Sequence, residues 1–160
     1  MLKSEKGLTY IAMIFIIVLI AIIVFGVIYF ARIELSKESL ETLKTDMLLI
    51  QGKTELVSQH VDMKEKDAEL IGTKLGDMGE DEIIKSFLEK NIIDANSKDS
   101  DFYVLKEQDI RNLELENVKI EEGVYYIVDY KNNDIIITNG YEAPDGKLYY
   151  KLSDIENLEN

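Results

Sequence analysis

The chain has 160 residues, 46% apolar and 31% charged, which leaves room for one modest soluble domain beside any membrane-embedded segment and excludes a multidomain enzyme. Eighteen Lys and Arg against 31 Asp and Glu give a net charge of −13, and so acidic a surface argues against direct binding of nucleic acid. With no cysteine and a single histidine, disulfides, thiolate metal sites, thiol nucleophiles and multi-histidine centres are ruled out, and no cofactor is expected.

Residues 8 to 31 carry no charge, and the first 31 residues hold two lysines and one glutamate, so the acidic excess belongs to residues 32 to 160. Leu8 to Ala31 is an apolar run of about 24 residues; at about 1.5 Å each this makes about 36 Å of helix, enough to cross a bilayer with some tilt. Sixteen of these residues are Leu, Ile, Val or Phe, and at about −0.3 to −0.6 kcal/mol each they favour insertion by about 5 to 10 kcal/mol. Lys3 and Lys6 precede the run, so the positive-inside rule predicts a single-pass protein of the cell membrane, amino terminus cytoplasmic and carboxyl-terminal domain outside. A secretory signal peptide has a shorter apolar region, about 7 to 15 residues, and ends in a small-x-small site. Tyr29-Phe30-Ala31-Arg32 supplies no such site. A plain signal-anchor is the other simple reading.

The junction Lys6-Gly7-Leu8-Thr9-Tyr10-Ile11 sets a short charged leader and a glycine directly against the apolar helix. It resembles the class III signal of type IV pilins and of type II secretion pseudopilins. The resemblance implies that a membrane-embedded prepilin peptidase cuts between Gly7 and Leu8 and that Leu8 becomes an N-methylated amino terminus. A glycine suits such a site because, without a Cβ, it lets the backbone extend for a protease. The fifth residue of the mature family protein is usually glutamate, and here it is Ala12. That departure points to a minor subunit rather than the bulk of a fibre.

Beyond Arg32, Ile33, Leu40, Leu43, Met47, Ile50, Val57, Val61, Ala68 and Ile71 fall largely on a 3/4 spacing, which predicts that the helix continues and ends between Val61 and Lys74. Lys37, Glu38, Glu41, Lys44 and Asp46 form its solvated face, and a coiled-coil dimer is the alternative use of such a stripe. Gly72, Gly76 and Gly79 end helical order. Residues 80 to 93 read as a second helix with Asp81 as its cap. Residues 94 to 101 read as a loop, in which Asp94, Asn96, Asp99 and Asp101 are a weak candidate set for Ca²⁺ that lacks the spacing, glycine and distal glutamate of an EF-hand. Tyr103-Val104-Leu105 suggests a short strand or turn leading into a short helix, with Leu105, Ile110 and Leu113 buried.

From Gly123 the period changes to two. Val124, Tyr126, Val128 and Tyr130 alternate with Tyr125, Ile127 and Asp129, a turn comes at 131–134, and Ile135 starts a second strand, a β-hairpin. Asn139-Gly140 and Pro144-Asp145-Gly146 are turn signals, and Lys147 to Leu152 is a third strand. A three-stranded meander cannot stabilise itself, so one face must pack on the outer half of the long helix. The expected fold is α+β and pilin-like: a leader 1–7, a transmembrane helix 8–31, its exported continuation 32–74 and a small extracytoplasmic domain 75–160 whose antiparallel sheet packs on the helix.

His60 has Leu56 and Lys64 one turn away on either side, so no carboxylate at either position orients the ring, and it reads as a surface or packing histidine. Tyr125, Tyr126, Tyr130, Tyr149 and Tyr150 could form a platform for a polysaccharide but read as sheet and core residues. With no phosphate loop, nucleophile elbow or HExxH helix, no enzyme is expected. The expected function is that of a pilin-like subunit, anchored until assembled into a type IV pilus or a secretion fibre. Its partners would be other pilin-like subunits, the prepilin peptidase, membrane lipid and inner-membrane assembly machinery. The alternative is an unprocessed, membrane-anchored binding or sensor module.

Overall fold

The computed structural model describes residues 5–64, 68–93, 101–118 and 120–159. Chain contacts divide it into two units, residues 1–39 and 40–160. Helix α1, Glu5–Asp62, begins in the first and ends in the second. It is followed by β1 (Thr73–Lys74), a 3-10 turn (Leu75–Met78), α2 (Glu82–Glu89), β2 (Phe102–Leu105), α3 (Glu107–Asn112), β3 (Tyr126–Asp129), β4 (Asp134–Glu142), β5 (Leu148–Lys151), α4 (Leu152–Glu156) and a closing 3-10 turn (Asn157–Glu159).

The expected mixture of helix and carboxyl-terminal antiparallel sheet is present, but the sheet has five strands in the order β1-β2-β3-β4-β5, not three. Each strand pairs antiparallel with the one before it, without a crossover. β2 falls on the segment read as a short strand or turn at Tyr103-Val104-Leu105, and the strand that the sequence does not mark is β1. β1 has only two residues, and it is brought against β2 by Gly72, whose φ of +107° is open to glycine. A Cβ there would also stand 2.9 Å from the Val104 carbonyl oxygen.

The long helix stops at Asp62, inside the expected window from Val61 to Lys74; Ala68 and Ile71 of the expected stripe lie beyond it, and Ile71 packs against the core from an irregular segment. Two other local expectations are corrected. Asn139-Gly140 does not turn the chain: it sits inside β4, where the register against β5 shifts between Ile136 and Tyr141. The last strand ends at Lys151, and Leu152 opens α4. That helix is capped from afar, since the Asp134 carboxylate accepts bonds from the Ser153 amide at 3.2 Å and hydroxyl at 2.7 Å.

Both faces of the sheet are covered. Alternation along the strands sends Leu105, Tyr126, Val128, Ile135 and Ile137 into one cluster with Met47 and Ile50 of α1 and with Leu152 and Ile155 of α4. Val104, Ile127 and Ile136 point the other way, into a second cluster with Leu75 and Met78 of the 3-10 turn and Ile84 and Phe87 of α2. Burying the second face explains why β3 is closed to solvent at all four residues.

Polar contacts fix how α1 lies in this unit. Gln51 donates to the Asn133 carbonyl at 2.6 Å, Asn133 donates to Glu55 at 3.3 Å, and Lys53 pairs with Glu114 at 3.2 Å. Between them Thr54 is fully buried and returns its hydroxyl proton to the Ile50 carbonyl at 2.9 Å.

Candidate functional site

The segment singled out by sequence is the start of α1. Met13–Ala31 has a mean hydropathy of 3.2 and none of it is buried, so it is long and apolar enough to span a membrane. Phe25, Tyr29 and Phe30 are among its most exposed side chains, and Tyr29 meets Phe30 edge to face at 6.2 Å. Aromatic rings next to Arg32 suit the headgroup region, where an amphipathic ring is solvated at one end. Gly7, Leu8 and Ala12 all lie on helical backbone, whereas Lys3 is outside the described residues. A protease acting between Gly7 and Leu8 must therefore unwind the first turn of α1. Glycine lowers that cost by about 1 kcal/mol relative to alanine.

The folded unit gathers no comparable chemistry among the described residues. No group of three His, Asp or Glu side chains there is placed to hold a metal ion. Of the calcium candidates, Asp94, Asn96 and Asp99 lie outside the described residues; Asp101 is exposed, and its carbonyl accepts the Tyr130 amide at 3.0 Å. His60 is exposed in the last turn of α1.

The tyrosines are mainly structural. Tyr126 is buried at 3%, and burial next to Asp46 and Glu121 pushes its hydroxyl pKa well above the ordinary range. Tyr130 is pushed up to about 12, chiefly by burial. Its hydroxyl both donates to the Ile71 carbonyl at 3.0 Å and accepts from the Ile71 amide at 3.2 Å, and its ring meets Tyr103 at 5.3 Å. Tyr125 donates to Asp81 at 3.1 Å, and burial with that carboxylate raises its pKa. Asp81 meanwhile caps α2 by accepting the Ile83 and Ile84 amides, as its place in the sequence predicts. Tyr149 and Tyr150 are half-buried on β5 with Lys147 and Lys90 over their rings at 4.9 and 5.3 Å. The five rings do not form one platform.

Two shallow grooves lie among the described residues. One, of about 340 Å³, runs between Glu82 and Ser86 of α2, with Lys90 just past its end, and Thr138 and Asn139 of β4. The other, of about 550 Å³, lies beside α3 between Ile110, Leu115 and Ile120, with the Arg111–Glu107 ion pair at its rim. Compared with known proteins, the chain matches no family model, no curated protein and no solved structure.

Proposed function

We propose that the chain is a pilin-like or pseudopilin subunit, held in the cell membrane by residues 8–31 until it is assembled into a type IV pilus or a secretion fibre, with the amino terminus cytoplasmic and the sheet unit outside. The observation that carries this reading is the abutment of Lys6-Gly7-Leu8-Thr9 on an apolar span within a helix that goes on to pack, through Met47 and Ile50, against the sheet. In this reading Gly7 is the cleavage site and Leu8 the methylated terminus. The apolar helix serves first as anchor and then as the surface that exchanges lipid for the helices of other pilin-like subunits. Assembly machinery in the membrane would supply the extraction step.

Co-expression with an active prepilin peptidase tests it. Mass spectrometry of the protein should find residues 1 to 7 removed and a methylated Leu8, and Gly7→Leu should leave the chain inserted but uncut. An intact Met1 beside an active peptidase would sink the proposal. Ala12, in place of the family's usual glutamate, points to a minor subunit; the second reading is an unprocessed, membrane-anchored binding or sensor module. A charge at that position, as in Ala12→Glu, would promote self-association in membranes only if copies pack side by side, so membrane crosslinking tells a subunit that polymerises with its own copies from a minor subunit or an unprocessed anchor, and the peptidase experiment separates the last two.

A further inference from the structure

We propose that Asn139-Gly140 is a site of spontaneous covalent modification, at which the Asn139 carboxamide is converted through a cyclic imide to aspartate and isoaspartate. The sequence marks the pair as a turn, and the structure places it elsewhere. The ladder between β3 and β4 closes at Tyr126–Ile137, extended by the Thr138 amide on the Tyr125 carbonyl at 3.0 Å and the Tyr125 amide on the Thr138 hydroxyl at 2.9 Å. On the other side, pairing with β5 breaks between Ile136 and Tyr141. Asn139 and Gly140 therefore stand past one ladder and inside the bulge of the other, in β4 but outside the regular pairing that fixes a strand.

Ring closure needs the amide nitrogen of the following residue to reach Cγ of the asparagine, and any side chain on that residue obstructs the approach. Gly140 offers no obstruction, and the bulge cannot easily exchange it for another residue. Its φ is +70°, and a Cβ would lie 2.8 Å from the Tyr150 ring. Packing thus keeps in place the neighbour that makes Asn139 most reactive. Asn139 itself is exposed, so water reaches its carboxamide. The other asparagines of this region lack that combination: Asn132 precedes Asn133, and Asn133 precedes Asp134.

The chemistry needs only water. The Gly140 nitrogen loses its proton to solvent base and bonds to Asn139 Cγ, the bond from Cγ to Nδ2 breaks, and Nδ2 leaves with a proton as ammonia. Water then opens the five-membered imide at either carbonyl. Opening at the main-chain carbonyl routes the backbone through Cγ as isoaspartate, and opening at Cγ gives aspartate. Both products exchange a neutral amide for a carboxylate, and the first also lengthens β4 by one methylene where Gly140 packs on Tyr150.

The test uses the intact chain in detergent micelles, aged at neutral and at mildly alkaline pH and then digested with trypsin. The fragment from Asn132 to Lys147 should gain about one mass unit, the difference between amide and acid, located by fragmentation at residue 139. The gain should rise with pH, include isoaspartate detectable by isoaspartyl methyltransferase, and be lost in Asn139→Gln. If residue 139 stays an amide in the folded chain while the excised fragment is converted, the bulge blocks ring closure and the proposal fails. Conversion to aspartate without isoaspartate would mean direct hydrolysis and would overturn it equally.

Discussion

Between Met13 and Ala31 the α1 side chains are exposed almost throughout, Phe25 at 73% and Phe30 at 72%, whereas further along the same helix Met47, Ile50 and Thr54 are at 0%. Helix formation is common to the two stretches and does not distinguish them. Pattern does. The first is apolar at every position and so suits a surrounding that is apolar on every side, while the second confines its apolar residues to one stripe and needs a single partner surface. The five-stranded sheet is that surface, and Leu40, Leu43, Met47, Ile50 and Val57 of α1 pack on it.

The largest expected effect comes from making one substitution in both stretches. Ile50→Ala should lower the unfolding free energy of the sheet unit by about 2 to 5 kcal/mol, because the site is closed and a cavity remains. Ile22→Ala should change it by less than about 0.5 kcal/mol, since its side chain is 66% exposed. Denaturant unfolding of the full chain in micelles, followed by the near-ultraviolet signal of the tyrosines, reads both. Equal losses would show that the two stretches are not independent.

Within the folded unit, Asp81→Ala removes the cap of α2 together with the acceptor for Tyr125, and should cost about 1 to 2 kcal/mol in the same assay. The Tyr125 pKa should fall, by absorbance titration, because the neighbouring carboxylate that holds it up is gone. Tyr130→Phe should cost about 1 kcal/mol through its lost bonds to Ile71. It also has a signature in alkali. Tyr130 is protonated more tightly when folded, with a pKa of about 12 against an ordinary 10.0, so its contribution is complete below pH 10 and is lost as pH rises through 12. Removing the hydroxyl should flatten that part of the stability profile.

The smallest effect concerns Asp46, on the α1 face near Tyr126. Burial raises its pKa above 3.8, so its contribution to stability is full below that pH and is lost as pH rises through the folded value. Asp46→Asn should therefore be slightly more stable than the parent at neutral pH, with the difference vanishing in acid. An Asn variant less stable at neutral pH would show that the ionised carboxylate is favoured by contacts other than those that bury it.

Local signals are legible where one residue supplies the physics. Asp81 announces α2 because its cap is built from the next three residues, and the β3–β4 hairpin is visible in a clean period of two. Signals fail where the cause lies far along the chain. α4 is capped by Asp134, nineteen residues earlier, and Asn139-Gly140 has the composition of a turn but lies in β4 at the register shift against β5, where Gly140 packs close to the Tyr150 ring. The alternation from Gly123 onward marks the two faces of the hairpin, but nothing in it says that α2 covers the second. For the candidate site, the apolar span is legible from composition alone, whereas the Gly7–Leu8 junction is marked only by resemblance, and its cleavage is the proposal that the peptidase experiment tests.

The strand order has a further consequence for how the molecule assembles. Because every strand pairs with its predecessor, the sheet can grow as successive hairpins, each closing a loop within its own stretch of sequence. Docking of α1 is different in kind: Gln51 meets Asn133 across 82 residues and Glu55 meets the same residue across 78. Loop-closure entropy places that contact late, so a chain emerging from the ribosome should complete its meander before the helix seats on it. During that interval the face formed by Tyr126, Val128, Ile135 and Ile137 is uncovered. A folding helper acting on this protein would find its target on that face.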